Sequence, residues 1–237
     1  MTLGPFHATM GALGGICMYI IVVGAGSIGT SLIDIAVKEK NNVVVIDARA
    51  ERAKEISNRY DITVLGGDAT STETLREAGS ERADALIATT SDDAVNLMVV
   101  SIAEDLGIPS IVSVVNDPDH AEFFRKLGAN VLENPEEVVA NHLYNAAKRP
   151  RVEDFNMLSC GDQVFRLKVE EGSPLVGKTL AEAGKRGIVP ATLTITVIDR
   201  DGERRIPEDD AAIEAGDLLT LFSLERATDE LIEKLTG

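Results

Sequence analysis

Aromatic residues are scarce in this sequence, at 4% of 237 positions, and tryptophan is absent. Proteins that bind single-stranded nucleic acid rely on aromatic side chains that stack against the bases. Basic residues are also few, since 23 lysines and arginines stand against 39 acidic residues, for a formal net charge of −16. A surface of this sign repels nucleic-acid phosphates and anionic lipid head groups. We therefore expect no nucleic acid and no membrane surface as a direct partner.

Cysteine is nearly missing as well, since the chain has only Cys17 and Cys160. Two cysteines build neither a disulfide framework nor a cysteine-rich metal cluster, and the sequence lacks zinc-ligand spacing. It also lacks a Walker lysine loop and the nucleophile turn of hydrolases. These absences predict no metal site and exclude several common enzyme classes.

Charged side chains are missing from residues 1–33. Glycines interrupt this stretch, and its second half is typical of a buried strand followed by the start of a helix, so we predict no insertion into the membrane. A secretory signal would need a basic segment at its start. Because Met18 directly precedes the first β-branched run, we expect residues 1–17 to be an extension outside the fold.

From Met18 onward, short β-branched runs alternate with amphipathic stretches. Runs that are apolar on both faces predict strands buried in a parallel sheet. We predict strands at 19–23, 43–46, 62–65, 85–88, 111–115 and 130–132. We predict helices at 27–39, 50–59, 71–78, 92–106 and 118–127. A capping box is expected at Thr70 and Glu73. The pattern predicts an α/β fold with a doubly wound, Rossmann-like parallel sheet.

A different pattern follows the sixth strand. A helix is predicted at 135–148, and the basic run 148–151, which contains Pro150, marks a boundary. Alternating or β-branched strands are then predicted at 163–169, 193–198 and 218–222, with a hairpin turn at Asp201-Gly202 and a closing helix at 225–235. We therefore divide the chain into an α/β domain (18–134), a linking segment with its crossover helix (135–158) and a small α+β domain (159–237).

The strongest local motif is a glycine-rich turn between the first strand and the first helix. It consists of Gly24, Ala25, Gly26, Ser27, Ile28 and Gly29. In a dinucleotide-binding turn the first glycine permits the sharp bend, the second lets a pyrophosphate approach and the third lets helix and strand pack closely. The helix N-terminus then attracts the phosphates. The alternative is a tight structural turn without a ligand.

An acidic residue, Asp47, ends the second strand, as the dinucleotide-binding pattern requires. Its carboxylate could accept both ribose hydroxyls of an adenosine and would repel a 2′-phosphate, which favours NAD over NADP. Neighbouring Ala48 and Arg49 complete this part of the predicted site, and the charge of Arg49 weakens the exclusion slightly. The alternative for Asp47 is a helix cap.

Small and hydroxylated residues end the third and fourth strands. At the end of the third strand, an adenine would have room beside Gly67, Asp68 and Ala69. At the end of the fourth strand, a phosphate or a ribose at the switch point of the sheet could be reached by the hydroxyls of 89–91 (Thr89, Thr90 and Ser91). The alternatives are helix capping by Asp68 and by the hydroxyls. Asp92 and Asp93 are expected to complement the dipole of the following helix.

The sequence offers a predicted nucleotide-binding turn but no clear set of catalytic residues. A dehydrogenase needs a proton donor or acceptor beside the nicotinamide. The histidines are His7, in the extension, and His120 and His142, which are expected to be ordinary surface or interface residues. We predict no catalytic residue, and this combination favours sensing over turnover.

The motifs together resemble the Trk/Ktr (TrkA-like) potassium-uptake regulators. In the first domain the resemblance rests on 18–29, Asp47, 67–70 and 83–89, which are similar to the RCK N-domain. In the second it rests on 171–180, 205–207 and 215–219, which are similar to the RCK C-domain. It covers 18–237 in order.

The resemblance implies a non-enzymatic, nucleotide-sensing gating subunit of a Trk/Ktr-type potassium uptake system. Such a subunit would be cytoplasmic and held at the inner face of the membrane by its partner, a membrane potassium transporter or channel subunit. It would form a homodimer around the helix at 135–148, and dimers would assemble into a ring. NAD or NADH is favoured as the ligand, with ADP, AMP and ATP as alternatives.

One departure from the family concerns the end of the fifth strand. Many members carry an arginine there that reaches the phosphates, whereas this chain has 113–116 as Ser-Val-Val-Asn. A triphosphate would lose a charge-assisted contact, which disfavours ATP. Two alternatives remain for the function: the cytosolic RCK ring of a potassium channel or cation/proton antiporter, and a small NAD-dependent oxidoreductase.

Overall fold

The structure is a computed structural model that describes residues 17–149, 151–158 and 161–236. It divides into two compact units between Pro135 and Glu136. Cys160 and residues 1–16, most of the predicted extension, lie outside the described residues. Cys17 is exposed, and its thiol donates a hydrogen bond to the Lys40 carbonyl oxygen at 3.1 Å. Among the described residues, no helix is both long enough and apolar enough to cross a membrane.

The first unit alternates strands and helices along the chain. The strands are β1 (Tyr19–Val23), β2 (Asn42–Asp47), β3 (Thr63–Gly66), β4 (Ala85–Ala88), β5 (Ser110–Val115) and β6 (Asn130–Glu133). The helices are α1 (Ser27–Lys38), α2 (Ala50–Arg59), α3 (Thr72–Glu77), α4 (Asp93–Asp105) and α5 (Ala121–Lys126). The strands form one parallel sheet in the order β3-β2-β1-β4-β5-β6. This is the order of a doubly wound dinucleotide-binding fold, as predicted.

The sheet is buried on both faces because successive side chains of a strand point to opposite sides. On β1, Ile20 and Val22 pack in a cluster with Ile33 of α1. Ile21 and Val23 pack in a second cluster with Phe124 of α5. The carboxyl ends of the parallel strands meet at one edge, and ligands of this fold bind at that edge.

The helix predicted in the linking segment is α6 (Pro135–Lys148), and all of it after Pro135 belongs to the second unit. At its start, the Asn134 N–H donates to the Val115 carbonyl oxygen at 2.8 Å. The carboxyl end of β5 is thereby tied to the residue that precedes α6. Further along, α6 exposes Val138, Val139 and Leu143 to between 56% and 62%.

The second unit is built on an antiparallel sheet. Its strands are β7 (Val152–Met157), β8 (Gln163–Lys168), β9 (Leu193–Arg200), β10 (Glu203–Arg205) and β11 (Leu218–Ser223), in the order β10-β9-β11-β8-β7. Two helices, α7 (Leu180–Lys185) and α8 (Asp229–Thr236), contribute to its core. The predicted turn at Asp201-Gly202 is confirmed, since both residues have positive φ between β9 and β10.

Three local predictions differ from the structure. The segment 135–158, assigned to a linker, contains strand β7, whose alternation is broken by a bulge between Glu153 and Asn156. The closing helix begins at Asp229 rather than at 225. The capping box at Thr70 is wrong, because the Thr70 hydroxyl bonds Asp68 at 2.7 Å and α3 begins after Ser71.

Candidate functional site

The glycines of the turn between β1 and α1 have three different roles. Gly24 has φ +92°, a conformation that L side chains rarely adopt. A Cβ on Gly29 would lie 1.9 Å from the Gly24 carbonyl oxygen, so a side chain there is excluded sterically. A Cβ on Gly26 would meet no atom within 4 Å, and Gly26 has an ordinary φ of −68°. The space beside Gly26 is therefore open to a ligand.

The carboxylate of Asp47 holds this turn in place. Asp47 is 5% exposed. Its Oδ2 accepts a hydrogen bond from the Ala25 N–H at 2.7 Å, and its Oδ1 accepts one from the Arg49 N–H at 2.8 Å. Arg49 is the N-cap of α2, so through this second bond Asp47 also supports the start of that helix. Each carboxylate oxygen keeps a second lone pair that could accept a ribose hydroxyl.

Two arginines add positive charge near the turn. Arg49 is mainly exposed, with its Nε 3.7 Å from Asp47 Oδ1. Arg52, in the first turn of α2, donates from Nη1 to the Ala25 carbonyl oxygen at 2.7 Å. Sequence reasoning missed Arg52, because no motif marks a helix residue that reaches back to the glycine turn.

Helix α1 also differs from its neighbours at its N-terminus. The first turns of α2, α3 and α4 each contain an acidic residue, whereas the first turn of α1 contains none. Free N–H groups and the positive end of the helix dipole favour an anion at such a terminus. The end of α1 that faces the glycine turn therefore suits a phosphate.

A cavity of about 280 Å³ lies at this edge of the sheet. It brings together residues from the ends of β1, β2, β3 and β4. The sequence-predicted residues that line it are Gly24, Gly26, Asp47, Ala48, Arg49, Gly67, Asp68, Ala69, Thr89, Thr90 and Ser91. Val23, Ile46, Asp92 and Val95 also line it and were not predicted. Buried residues such as Ile46 cannot be told from ordinary core by their sequence.

The remaining predicted residues lie around the cavity without lining it. Ala25 and Gly29 are buried in the turn, whereas Ser27 and Ile28 are exposed at the start of α1. Their backbone belongs to the helix N-terminus, so they could contribute N–H groups rather than side chains.

Hydroxyls and carboxylates at the ends of β3 and β4 are engaged locally. The Thr89 hydroxyl donates to the Gly24 carbonyl oxygen at 2.8 Å, and this hydrogen bond connects the end of β4 to the glycine turn. The Asp68 Oδ1 accepts the hydroxyl and the N–H of Thr70, and these bonds lower the pKa of Asp68. Asp92, not Ser91, caps α4, since Asp92 Oδ1 accepts from the Ala94 N–H at 2.9 Å.

A shallow groove of about 630 Å³ adjoins the cavity and contains a histidine–aspartate pair. His120 Nδ1 lies 2.9 Å from Asp93 Oδ2. Burial opposes the ionisation of Asp93, but N–H groups of Asn116 and Asp117 and the His120 ring lower its pKa below the usual range. The hydrogen bond to Asp93 raises the pKa of His120, and nearby acidic charges add to this effect. Sequence reasoning missed the pair because its members lie 27 positions apart.

Two family models match the chain. One, the TrkA-N domain, matches residues 20–135, and the other, the TrkA-C domain, matches residues 164–236. The chain belongs to the TrkA family. Its two units therefore correspond to the N-domain and the C-domain that the sequence motifs indicated.

Curated relatives carry the same family name. The Trk system potassium uptake protein TrkA homolog of Methanothermobacter thermautotrophicus is 28% identical over 221 residues, which are 93% of this chain and 100% of the relative. The TrkA protein of Vibrio alginolyticus is 30% identical over 210 residues, which are 84% of this chain but 45% of that protein. The chain thus spans the full length of one relative and less than half of the other.

Solved structures share the fold. The "GsuK channel bound to NAD" is 22% identical with a TM-score of 0.60, over 94% of this chain and 40% of that one. The "GsuK RCK domain" is 23% identical with a TM-score of 0.59, over 94% and 48%. The chain spans less than half of each of these proteins. At this identity, the likeness shows that this TrkA-family chain has the RCK fold.

Proposed function

We propose that this chain is a nucleotide-sensing, non-enzymatic regulatory subunit of a Trk/Ktr-type potassium uptake system. NAD or NADH would bind the cavity of the first unit, in residues 18–134. The proposal depends on one observation, the open space beside Gly26. This space lies next to the turn that the Asp47 carboxylate holds and next to the N-terminus of α1, whose first turn contains no acidic residue. These three features offer contacts to a pyrophosphate and to a ribose in one place.

The choice of nucleotide follows from charge. Buried Asp47 would repel a 2′-phosphate, so NADP is disfavoured. The end of β5 carries Ser113 and Val115, which are uncharged and fully buried. This chain therefore has no basic side chain at the place where many family members carry an arginine. Arg49 and Arg52 could still contact two phosphates. ADP and AMP therefore remain alternatives to NAD, and ATP is the less favoured one.

The regulatory role is supported by the family and its relatives, which are named as Trk system potassium uptake proteins. The partner would be a membrane subunit of the uptake system, which holds this chain at the cytoplasmic face. A nucleotide would act by binding one conformation of the assembly more tightly than the other. Differential binding of about 1–3 kcal/mol per site is typical of such coupling.

Self-association is the other part of the proposal. Helix α6 exposes Val138, Val139, Leu143 and Tyr144, each by more than half. Neighbouring exposed side chains of this size are characteristic of an interface between chains. We propose a homodimer formed around α6, within the linking segment 135–158, with dimers assembled into a ring.

A binding measurement with one glycine variant tests the ligand site. Gly26→Ala places a methyl group in the open space without backbone strain. We expect isothermal titration to show NAD binding to the wild type and at least a tenfold loss in the variant, with unchanged thermal stability. Gly172→Ala in the second unit, also in open space, is the matched control. Equal NAD affinity in all three proteins would refute the site.

A transport measurement tests the role. We expect the chain to restore potassium uptake in cells that lack their own Trk regulatory subunit, provided the matching membrane subunit is expressed with it. Gly26→Ala should change the response of uptake to NAD(H) while the protein level stays constant. Restoration only with a potassium channel or a cation/proton antiporter would favour the RCK-ring alternative.

A further inference from the structure

The groove beside the cavity lies where the second half of a dinucleotide would extend. It is lined by residues 91–94, Asn116, Asp117 and His120. Ser91 and Asp92 line both the cavity and the groove, so the two spaces meet at the start of α4. In a doubly wound sheet, a dinucleotide crosses the switch point from the ends of β1 and β2 to those of β4 and β5. An adenosine at Asp47 therefore directs the second nucleoside into this groove.

His120 is oriented in the groove by a hydrogen bond from its Nδ1 atom. Nδ1 bonds Asp93 Oδ2 at 2.9 Å, and Asp93 is itself fixed by the N–H groups of Asn116 and Asp117 at 2.8 and 2.9 Å. This leaves Nε2 as the ring atom available to a ligand. The side chain is 49% exposed, so an occupant of the groove can approach it.

The charged residues that line the groove beside the ring are acidic. Asp93 bonds the ring from the start of α4, Asp117 and Asp119 belong to the turn of His120, and Asp92 lines the same groove. Among the residues that line the groove, His120 is the only one with a basic side chain. Its protonation therefore changes the net charge of the groove by one unit near neutral pH.

Resting on the proposed nucleotide site, we propose that the groove binds the nicotinamide half of a dinucleotide and that His120 sets its preference between the oxidised and the reduced ring. The oxidised nicotinamide carries a positive charge, whereas the reduced ring is neutral. A protonated imidazole repels the oxidised ring, and a neutral imidazole leaves it facing acidic side chains. His120 is thus a specificity-determining residue that couples pH to the redox state of the bound cofactor.

The sign of the pH dependence follows from this arrangement. Above the pKa of His120, the groove is more negative and favours NAD⁺. Below it, the imidazolium disfavours NAD⁺, while NADH binding changes little. For unit charges within about 8 Å near a protein surface, the ratio of the NADH and NAD⁺ dissociation constants should rise roughly threefold to tenfold from pH 6.5 to pH 9.

The test measures dissociation constants of NAD⁺, NADH and ADP-ribose across this pH range. ADP-ribose keeps the adenosine, both phosphates and the second ribose but lacks the nicotinamide. His120→Gln removes the titration and His120→Lys fixes a positive charge. Both should abolish the pH dependence of the ratio, with NAD⁺ disfavoured at every pH in the lysine variant. His142→Gln, at the other histidine that the structure describes, should behave as the wild type.

Each outcome decides the proposal. A ratio that rises in the wild type and in His142→Gln but is flat in both His120 variants supports it. A flat wild-type ratio, or an equal rise in His120→Gln, overturns it. If ADP-ribose binds as tightly as both dinucleotides at every pH, the groove does not contact the nicotinamide, although the nucleotide site stands. If none of the three binds, the proposed function itself fails.

Discussion

The Asp47 carboxylate, at the end of β2, accepts the backbone N–H of Ala25 at 2.7 Å from the middle of the glycine turn. One buried side chain therefore both shapes the turn and faces the cavity in which a ribose would lie. On the proposed binding site, substitution of this residue should therefore affect both the fold of the turn and nucleotide binding.

Removal of the Asp47 carboxylate should destabilise the protein as well as weaken binding. In Asp47→Ala, the buried N–H of Ala25 loses its acceptor, and leaving such a group unsatisfied costs about 1–3 kcal/mol. We expect urea denaturation to show a loss of this size and NAD affinity to fall at least tenfold. Asp61→Ala, at an exposed turn residue, is the control and should change stability by less than about 0.5 kcal/mol. Unchanged stability of Asp47→Ala would contradict the structural role.

The third glycine of the turn should tolerate no side chain. In Gly29→Ala the new methyl group would lie 1.9 Å from the Gly24 carbonyl oxygen, so α1 must move away from the turn. Because close-packed interiors transmit such strain, we expect a loss of about 3 kcal/mol or more. Thermal unfolding followed by circular dichroism measures this loss of stability. Gly26→Ala, whose new methyl group has open space, should unfold at the same temperature as the wild type. Equal melting temperatures for all three proteins would show that the turn is more adaptable than the structure indicates.

The second unit contains an ion pair that should make its stability depend on pH. Asp217 is 1% exposed. Its carboxylate accepts hydrogen bonds from Arg200 Nε at 2.7 Å and from the Glu214 N–H at 2.8 Å. Burial opposes the ionisation of Asp217, but these donors lower its pKa below the usual range. Its contribution to stability is therefore complete above the ordinary carboxyl pKa of about 4 and is lost as pH falls through the lower, folded value.

Asp217→Asn tests this dependence. Breaking a buried pair on one side costs about 3–5 kcal/mol, and because Arg200 is 30% exposed we expect the lower end, about 3 kcal/mol at pH 7. Urea denaturation at pH 7 and pH 3 should show a difference between variant and wild type that shrinks in acid. Asp201→Asn, at an exposed turn, should leave stability unchanged at both pH values. A difference that persists undiminished at pH 3 would rule out the charge of Asp217 as its cause.

The exposed face of α6 should control the oligomeric state. Leu143→Asp places a charge among Val139 and Tyr144, and we expect light scattering after size exclusion to show monomers where the wild type forms dimers. Since Leu143 is 62% exposed, the variant should still fold. Asn58→Asp adds the same charge at an exposed position of α2, away from α6, and should remain dimeric. Dimers in both variants would place the interface elsewhere.

The sequence predicted the first unit well because its strands are nearly continuous runs of Val and Ile. β1 and β4 match the predicted bounds, β2 extends by one residue at each end, and β5 begins one residue earlier than predicted. Such runs bury both faces, so their hydrophobicity is unambiguous. Strand β7 was missed because a polar residue with positive φ, Asp154, interrupts its alternation.

Capping signals were less reliable than hydrophobic runs. The spacing Thr70-x-x-Glu73 predicted a capping box that does not form, whereas Thr179 and Glu182 form one at the start of α7, which the sequence analysis did not identify. The same spacing has two outcomes because Asp68 competes for the Thr70 hydroxyl. Contacts between distant residues, such as Asp93 with His120, depend on the assembled sheet and leave no local signal.

The hydrogen bond from the Asn134 N–H to the Val115 carbonyl oxygen ties the root of α6 to the strand whose next residue, Asn116, bonds Asp93 at the groove. The end of β5, the approach to α6 and one edge of the proposed nicotinamide groove therefore meet at two adjacent residues. A substitution at either of these residues would disturb more than one of these features. Substitutions at 115–116 are therefore expected to change the end of β5, the approach to α6 and the proposed groove together.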